Sequence, residues 1–245
     1  MRPRFVDCHS HVVPSGDDGA GTVAEGAALC REAARRGTAL LFATPHVWPH
    51  LPLTADRETA VRAAFADVRD GAGLELRLGF ELTPAPPLLR EDLRRYALEG
   101  TDAVLIEIPF VGEAELAVAL AERAEALGLR PVIAHPERTA AVLGQPALAE
   151  ALAARGWTLQ VNATSLLGRH GPEIAALAWE LLERGVGRVV ASDGHRPTRP
   201  PHLDEAFDAA AARLGPGRAL PLFDGSALGV ARPTPTASRA GSTAA

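Results

Sequence analysis

The 245-residue chain contains no lysine, and all 25 of its basic residues are arginine. That absence excludes chemistry built on a primary amine: Schiff-base catalysis, the lysine of a P-loop, and a carboxylated-lysine metal bridge. Cysteine is nearly as scarce. Cys8 and Cys30 are too few for a disulfide framework or a thiolate-rich zinc site, and they fit a reducing compartment, the cytoplasm. Aromatics make up 4% of the residues, so Ala, Leu and Val must fill the core. A net charge of -5 gives no overall basic field, which argues against nucleic acid as a partner. No run approaches the ~18 uninterrupted apolar residues of a membrane span. The opening "MRPRFVDCHSHVV" meets Asp and His before the apolar core of a signal peptide can form.

What is present is an alternation. Strand-like apolar runs occupy 4–11, 39–46, 74–82, 103–110, 130–136, 157–163 and 187–193. Helical patterns lie between them, such as "TVAEGAALCREAARRG", where Thr22 is a cap, Glu25 completes a capping box and Gly37 ends the helix. "EAELAVALAERAEALG" and "PEIAALAWELLERG" repeat the design. Strands alternating with helices imply parallel βαβ units, and seven of them in succession predict a single-domain α/β fold, a (β/α)7 barrel over 1–230. The Pro-, Ser- and Thr-rich stretch 231–245 is expected to be a disordered tail.

In a parallel barrel the strand C-termini share one face, and the loops after them build the site. The first run carries Asp7, His9 and His11 at one parity, with Cys8 and Ser10 expected on the other side. "ATPH" delivers His46, "GFEL" Glu81, "LIEIP" Glu107, "AHPER" His135, and "SDGH" both Asp193 and His195. Only the sixth run, "VNATS", brings no obvious ligand. Imidazole and carboxylate together suit zinc, manganese or iron in a multinuclear hydrolytic centre. His50, His170 and His202 fall away from strand ends and are expected at the surface or behind the ligands.

With "DCHSHVVPSGDDGA", "ATPH", "GFEL", "LIEIP", "AHPER" and "ASDGH" in this order, the chain resembles the PHP (polymerase and histidinol phosphatase) superfamily over about residues 4–230. The resemblance is strongest to its CpsB/YwqE-type protein-tyrosine phosphatases of bacterial capsule and exopolysaccharide systems. It implies a distorted (β/α)7 barrel with three metal ions, manganese first and iron or zinc as alternatives. Carried over by position, His9 and His11 would hold one ion with Glu81 and Asp193. Glu81 would bridge to a second ion on Glu107 and His135, and Asp18, His46 and His195 would take the third. Asp18 is preferred over its neighbour Asp17, which is expected to be a loop or capping acid, while Asp7 orients a ligand or packs in the barrel.

Ions about 3.5 to 4 Å apart can activate water and neutralise phosphoryl oxygens, so no side-chain nucleophile is needed. Arg138 and Arg199, close after His135 and His195, resemble the family's phosphate-binding arginines and suit bidentate contact with a phosphoester. With Asp193 they form the expected catalytic set. A cysteine phosphatase would need C-x5-R; Cys30 and Arg36 have that spacing, but inside a helical pattern where Cys30 reads as a buried apolar residue. The resemblance implies a phosphotyrosine protein as substrate, a bacterial tyrosine kinase of polysaccharide synthesis. The competing readings are a small-molecule phosphatase of histidinol-phosphate type, an amidohydrolase, and a non-catalytic metal-binding barrel.

Overall fold

The computed structural model describes residues 3–230, so the predicted tail, 231–245, lies outside the described residues. In chain order the elements are β1 (Phe5–Asp7), α1 (Val23–Arg35), β2 (Thr38–Ala43), β3 (His46–Val47), α2 (Ala55–Asp70), β4 (Glu75–Leu78), β5 (Glu81–Leu82), β6 (Ala103–Glu107), α3 (Glu115–Ala126), β7 (Arg130–Ala134), α4 (Ala140–Gly144), α5 (Ala147–Ala154), β8 (Thr158–Asn162), α6 (Ala163–Leu166), α7 (Pro172–Glu183), β9 (Gly187–Ala191), α8 (Asp204–Leu214) and α9 (Pro216–Ala219). The ladders are parallel and run β1-β2-β4 and β3-β5-β6-β7-β8-β9. No helix among the described residues is long and apolar enough to cross a membrane.

The seven expected runs are all there, but two of them are broken. The run 39–46 divides into β2 and β3 at Thr44 and Pro45. Pro45 has no N–H to give a ladder, and the Thr44 N–H goes instead to the Ser10 carbonyl at 2.7 Å. The run 74–82 divides into β4 and β5 at Gly79, where a Cβ would stand 2.5 Å from Leu98 Cδ2. At both breaks the chain steps from the three-stranded sheet to the six-stranded one.

No ladder joins β1 to β9. The barrel closes just beyond their ends, where the Asp193 N–H donates to the His9 carbonyl at 2.9 Å and the His11 N–H to the Gly194 carbonyl at 2.7 Å. Closure therefore runs through the backbone of residues expected to be ligands. At the opposite end the Val6 N–H donates to Phe223 O, and Leu228 and Val230 fill the barrel.

Strand alternation sorts the core into two clusters. Leu40, Phe42, Ala103, Leu105, Val132, Ala134, Val189 and Ala191 pack inside the barrel. The intervening Leu41, Ala43, Val104, Ile106, Ile133 and Val190 pack outward with helix residues such as Leu29, Leu120 and Leu181. Cys8 joins Val6, of the same parity, in the inner cluster, but alternation alone does not place the histidines that follow. The reason is that β1 stops at Asp7, so strict alternation does not extend to His9 and His11.

Helix α1 begins as expected, with Thr22 Oγ1 accepting the Glu25 N–H. The return bond of the capping box is displaced by one residue, because Glu25 Oε2 accepts from the Gly21 N–H at 2.9 Å. Gly26 lets this helix lie against the first run; a Cβ there would stand 2.0 Å from the Val12 carbonyl oxygen.

Candidate metal centre

The loop after β1 is tied down before it offers any ligand. Asp17, its side chain almost wholly buried, accepts the Gly19 N–H at 3.1 Å and the His46 N–H at 3.0 Å. It therefore fastens the turn to the second run, the loop role expected of it. Arg57 braces the same turn through Ser15 O, Leu51 O and His46 O, and Arg196 Nε donates to Asp18 O. Asp18 is left turned to the cleft, with a side chain 59% exposed and Oδ1 3.3 Å from His195 Nε2 and 3.6 Å from His46 Nε2.

Glu81 is the hub of the site. Its Oε2 lies 3.0 Å from His9 Nε2, 3.2 Å from His11 Nε2 and 3.0 Å from His46 Nδ1, and its Oε1 lies 3.0 Å from His135 Nε2. Burial alone would raise the Glu81 pKa, but the imidazoles around it hold it well below the usual range. Burial would lower His9 and His11, yet Glu81, Asp193 and, for His11, Asp17 hold both above the ordinary histidine value. His46 is pushed down to about 3, first by burial. Glu107, which accepts a hydrogen bond from Thr83, is pushed up to about 7 by burial and by the charge of Glu81.

Two of the clustered residues depart from ordinary backbone. His135 has φ 33° and Asp193 φ 52°, left-handed values unusual for residues other than glycine. Each lies just past a strand end, and the turn re-aims its side chain into the cluster.

Asp193 divides its two oxygens. Oδ1 faces His9 Nε2 and His11 Nε2, both at 3.5 Å, and His195 Nδ1 at 3.4 Å. Oδ2 accepts from Arg138 at 2.7 Å and from Asn162 Nδ2 at 2.9 Å. A carboxylate well below its normal pKa only accepts, and this fixes a whole chain of donors. Asn162 must turn its NH2 to Asp193, so its Oδ1 meets Gln160 Nε2 at 2.8 Å. Gln160 then turns Oε1 to His9 Nδ1 at 3.0 Å. His9 consequently carries a proton on Nδ1, and Nε2, aimed at Glu81 and His11, is the nitrogen left for an ion once any proton there is released.

This donor set fits a transition-metal ion. His11, His46 and His195 have ligand atoms mutually within 4.8 Å, as do His9, Glu81 and His135; His9, His11 and Asp193; and His46, Glu81 and Glu107. His9 Nε2 and His11 Nε2 are only 3.1 Å apart, two buried nitrogens converging on one carboxylate oxygen. Nitrogen and oxygen donors without thiolate match zinc, manganese or iron. The groups share residues more than the expected sets did, with His11 near His46 and His195 and Glu107 near His46.

The cluster opens into a cleft of about 350 Å³ lined by Asp18, His46, Trp48, Thr83, Glu107, Pro109, Phe110, His135, Arg138, Asp193, His195 and Arg199. Arg138 is held both by Asp193 and over the Phe110 ring, 4.6 Å from its centroid. Arg199 lies against the ring nitrogens of His195, 2.6 Å from Nε2, and 3.6 Å from Asp193 Oδ1.

All nine residues expected as ligands thus meet at one end of the barrel, with both arginines beside them. Asp7 accepts the Ser192 N–H at 3.0 Å and the His9 N–H at 3.3 Å, joining the first run to the last. His50 stacks on Trp48, His170 bonds Thr164, and His202 faces Glu32, so none of the three joins the cluster. Cys30 is buried with its thiol pushed up to about 12 by burial, and Arg36 is engaged by Asp204 and Glu205, which removes the C-x5-R reading. Sequence reasoning missed Gln160 and Asn162. The usable signal was a pair of amides spaced i, i+2 on the sixth run, an inward parity that apolar residues fill on its neighbours.

The model of the family "Capsular polysaccharide synthesis, CpsB/CapC" matches residues 5–227. The tyrosine-protein phosphatase YwqE of Bacillus subtilis (strain 168) is 33% identical over 210 residues, 83% of this chain and 82% of that protein. The tyrosine-protein phosphatase CpsB of Streptococcus pneumoniae is 28% identical, covering 89% of this chain and 95% of its own. A solved structure from work on the B. subtilis YwqE and S. pneumoniae CpsB, described as unique metal-dependent tyrosine phosphatases, superposes with a TM-score of 0.80 at 30% identity, over 89% of this chain and 91% of that one. With the family model spanning the barrel and the strand ends that carry the cluster, this chain belongs to the CpsB/CapC family of capsular polysaccharide synthesis.

Proposed function

We propose that this protein is a metal-dependent protein-tyrosine phosphatase, a phosphoric monoester hydrolase of a capsule or exopolysaccharide system. It works in the cytoplasm on phosphotyrosines of a bacterial tyrosine kinase. One observation carries the reading: the buried nitrogen and oxygen cluster around Glu81 opens into a cleft that also holds two arginines. The names of YwqE and CpsB support phosphotyrosine as the substrate.

Three ions are proposed, manganese first with iron or zinc as alternatives. His9, His11, Glu81 and Asp193 would hold one; Glu81, Glu107 and His135 a second; Asp18, His46 and His195 a third. Bound there, the ions supply positive charge to phosphoryl oxygens and lower the pKa of water.

The side chains of this chain do the remaining work. Arg138 is already aimed by Asp193 and Phe110, so it meets a phosphoryl oxygen with little reorganisation. Arg199 offers a second guanidinium from the other side of Asp193, and two such groups favour the dianion of a monoester. Asp193 serves catalysis by orienting Arg138 through one oxygen while the other faces three imidazoles. Both thiols are buried with their pKa values raised by burial, so neither acts as nucleophile. A phenol is a better leaving group than an aliphatic alcohol, and no side chain is assigned as its acid.

The test compares a phosphotyrosine peptide, histidinol phosphate and an aryl phosphate as substrates of protein whose metal content has been measured. Turnover of the phosphotyrosine peptide and aryl phosphate is expected. Turnover of histidinol phosphate alone would make the protein a small-molecule phosphatase, and tight metal without turnover would make it a binding barrel.

A further inference from the structure

Among the described residues two large apolar side chains stand exposed, Phe110 at 45% and Val111 at 85%. Both follow Glu107 in sequence, and Phe110 lines the cleft. Singly exposed apolar residues need no explanation, but an aromatic ring left open beside a site points to a ligand. A second ring, that of Trp48, lines the same cleft, although aromatics make up only 4% of the chain.

Both rings are fixed by what they stack on. Trp48 stacks on His46 with centroids 4.4 Å apart and planes 25° apart, and also on His50 at 5.2 Å. Phe110 stacks on His135 at 5.4 Å and 30°, with the Arg138 guanidinium over it. The two supporting imidazoles contact different oxygens of one carboxylate, His46 on Glu81 Oε2 and His135 on Oε1. The rings therefore rise from two sides of the ligand cluster. Trp48, Pro109 and Phe110 line the same cleft as both arginines, so the ester substituent of a phosphoryl group held by the arginines lies within reach of the two rings.

We propose that Trp48 and Phe110 form an aryl subsite that selects phosphomonoesters of aromatic alcohols over those of aliphatic ones. The inference rests on the phosphatase reading and names the residues that give it specificity. Rings held in advance lose little freedom when a third ring packs against them by edge or face. Phe110 also steadies Arg138, so the aryl preference and phosphate binding must be read separately.

Calorimetric binding of phenylphosphonate and methylphosphonate to the metal-loaded protein, at a pH above the second ionisation of both, separates them, because neither is hydrolysed and both then present a phosphonate dianion. Wild type binds phenylphosphonate more tightly. Trp48→Ala and Phe110→Leu each cut the ratio of the two affinities by about two- to tenfold, the worth of one aromatic pair. Phe110→Trp retains the ratio, and so does Val111→Ser, which alters the exposed neighbour outside the cleft lining. A general loss of phosphate binding or of metal would lower both affinities together and leave the ratio intact. An unchanged ratio in both Trp48→Ala and Phe110→Leu overturns the aryl subsite. Failure of the wild type to hydrolyse any phosphomonoester overturns the phosphatase reading instead, whatever the binding ratio shows.

Discussion

His9 presents Nδ1 to the side-chain oxygen of Gln160 at 3.0 Å, and the direction of that bond is dictated two residues further on, by the acceptor-only carboxylate of Asp193 bound to Asn162. Loss of such a supporting partner typically costs about 10- to 100-fold in metal affinity. Gln160→Leu should weaken metal binding by that order, whereas Gln160→Glu, which keeps an acceptor for the imidazole, should retain most of it. Competition with a chromogenic chelator measures both. Equal affinities for Gln160→Leu and wild type would show that the relay does not set metal affinity.

Glu81 contacts four imidazoles through its two oxygens. Replacing it with Gln keeps the size but removes the charge that holds His9 and His11 protonated in a buried place. Breaking a buried ionic arrangement costs about 3–5 kcal/mol. Glu81→Gln should therefore lower the stability of metal-free protein in urea by that order and abolish stable metal retention after desalting. A variant that keeps wild-type metal content would contradict the hub role.

Metal uptake should release protons. Glu107, at about 7, is partly protonated at neutral pH because burial and Glu81 disfavour its charge, and a ligand must give up that proton. His9 and His11, raised above the usual histidine value, must do the same. The sign follows: protons bound by the metal-free protein compete with the ion, so affinity rises with pH through neutrality. Calorimetry in two buffers of different ionisation enthalpy reads the release directly. Glu107→Gln should reduce it near neutral pH, and a release unchanged by that substitution would dissociate Glu107 from the ions.

Gly26 sets two effects against each other. Alanine is the better helix former by about 1 kcal/mol. Its Cβ would stand 2.0 Å from Val12 O, a backbone atom that cannot step aside cheaply, and such overpacking costs about 1–3 kcal/mol. The clash should win, so Gly26→Ala is expected to lower the denaturation midpoint in urea.

The clustered residues were legible because most of them are polar residues interrupting an apolar run at a strand end, a pattern that the shared face of a barrel explains. Asp18 and the arginines came from the resemblance, since nothing in their spacing alone picks Asp18 from Asp17. In the folded chain the two acids have different partners. Asp17 is engaged by backbone N–H groups, and Asp18 stays open to the cleft. The breaks at Pro45 and Gly79 were hidden because apolar continuity reports burial and says nothing of which sheet a strand joins. Gln160 and Asn162 were hidden for a different reason. Neutral amides form no motif, and their meaning depends on partners 151 and 31 residues away.

The most direct test of metal-dependent phosphatase activity is hydrolysis of a phosphotyrosine peptide by one preparation before metal removal, after it, and during stepwise return of manganese. No turnover is expected in the stripped protein, with recovery that tracks the bound metal. Full activity in protein verified to be free of metal would contradict the metal-dependent mechanism.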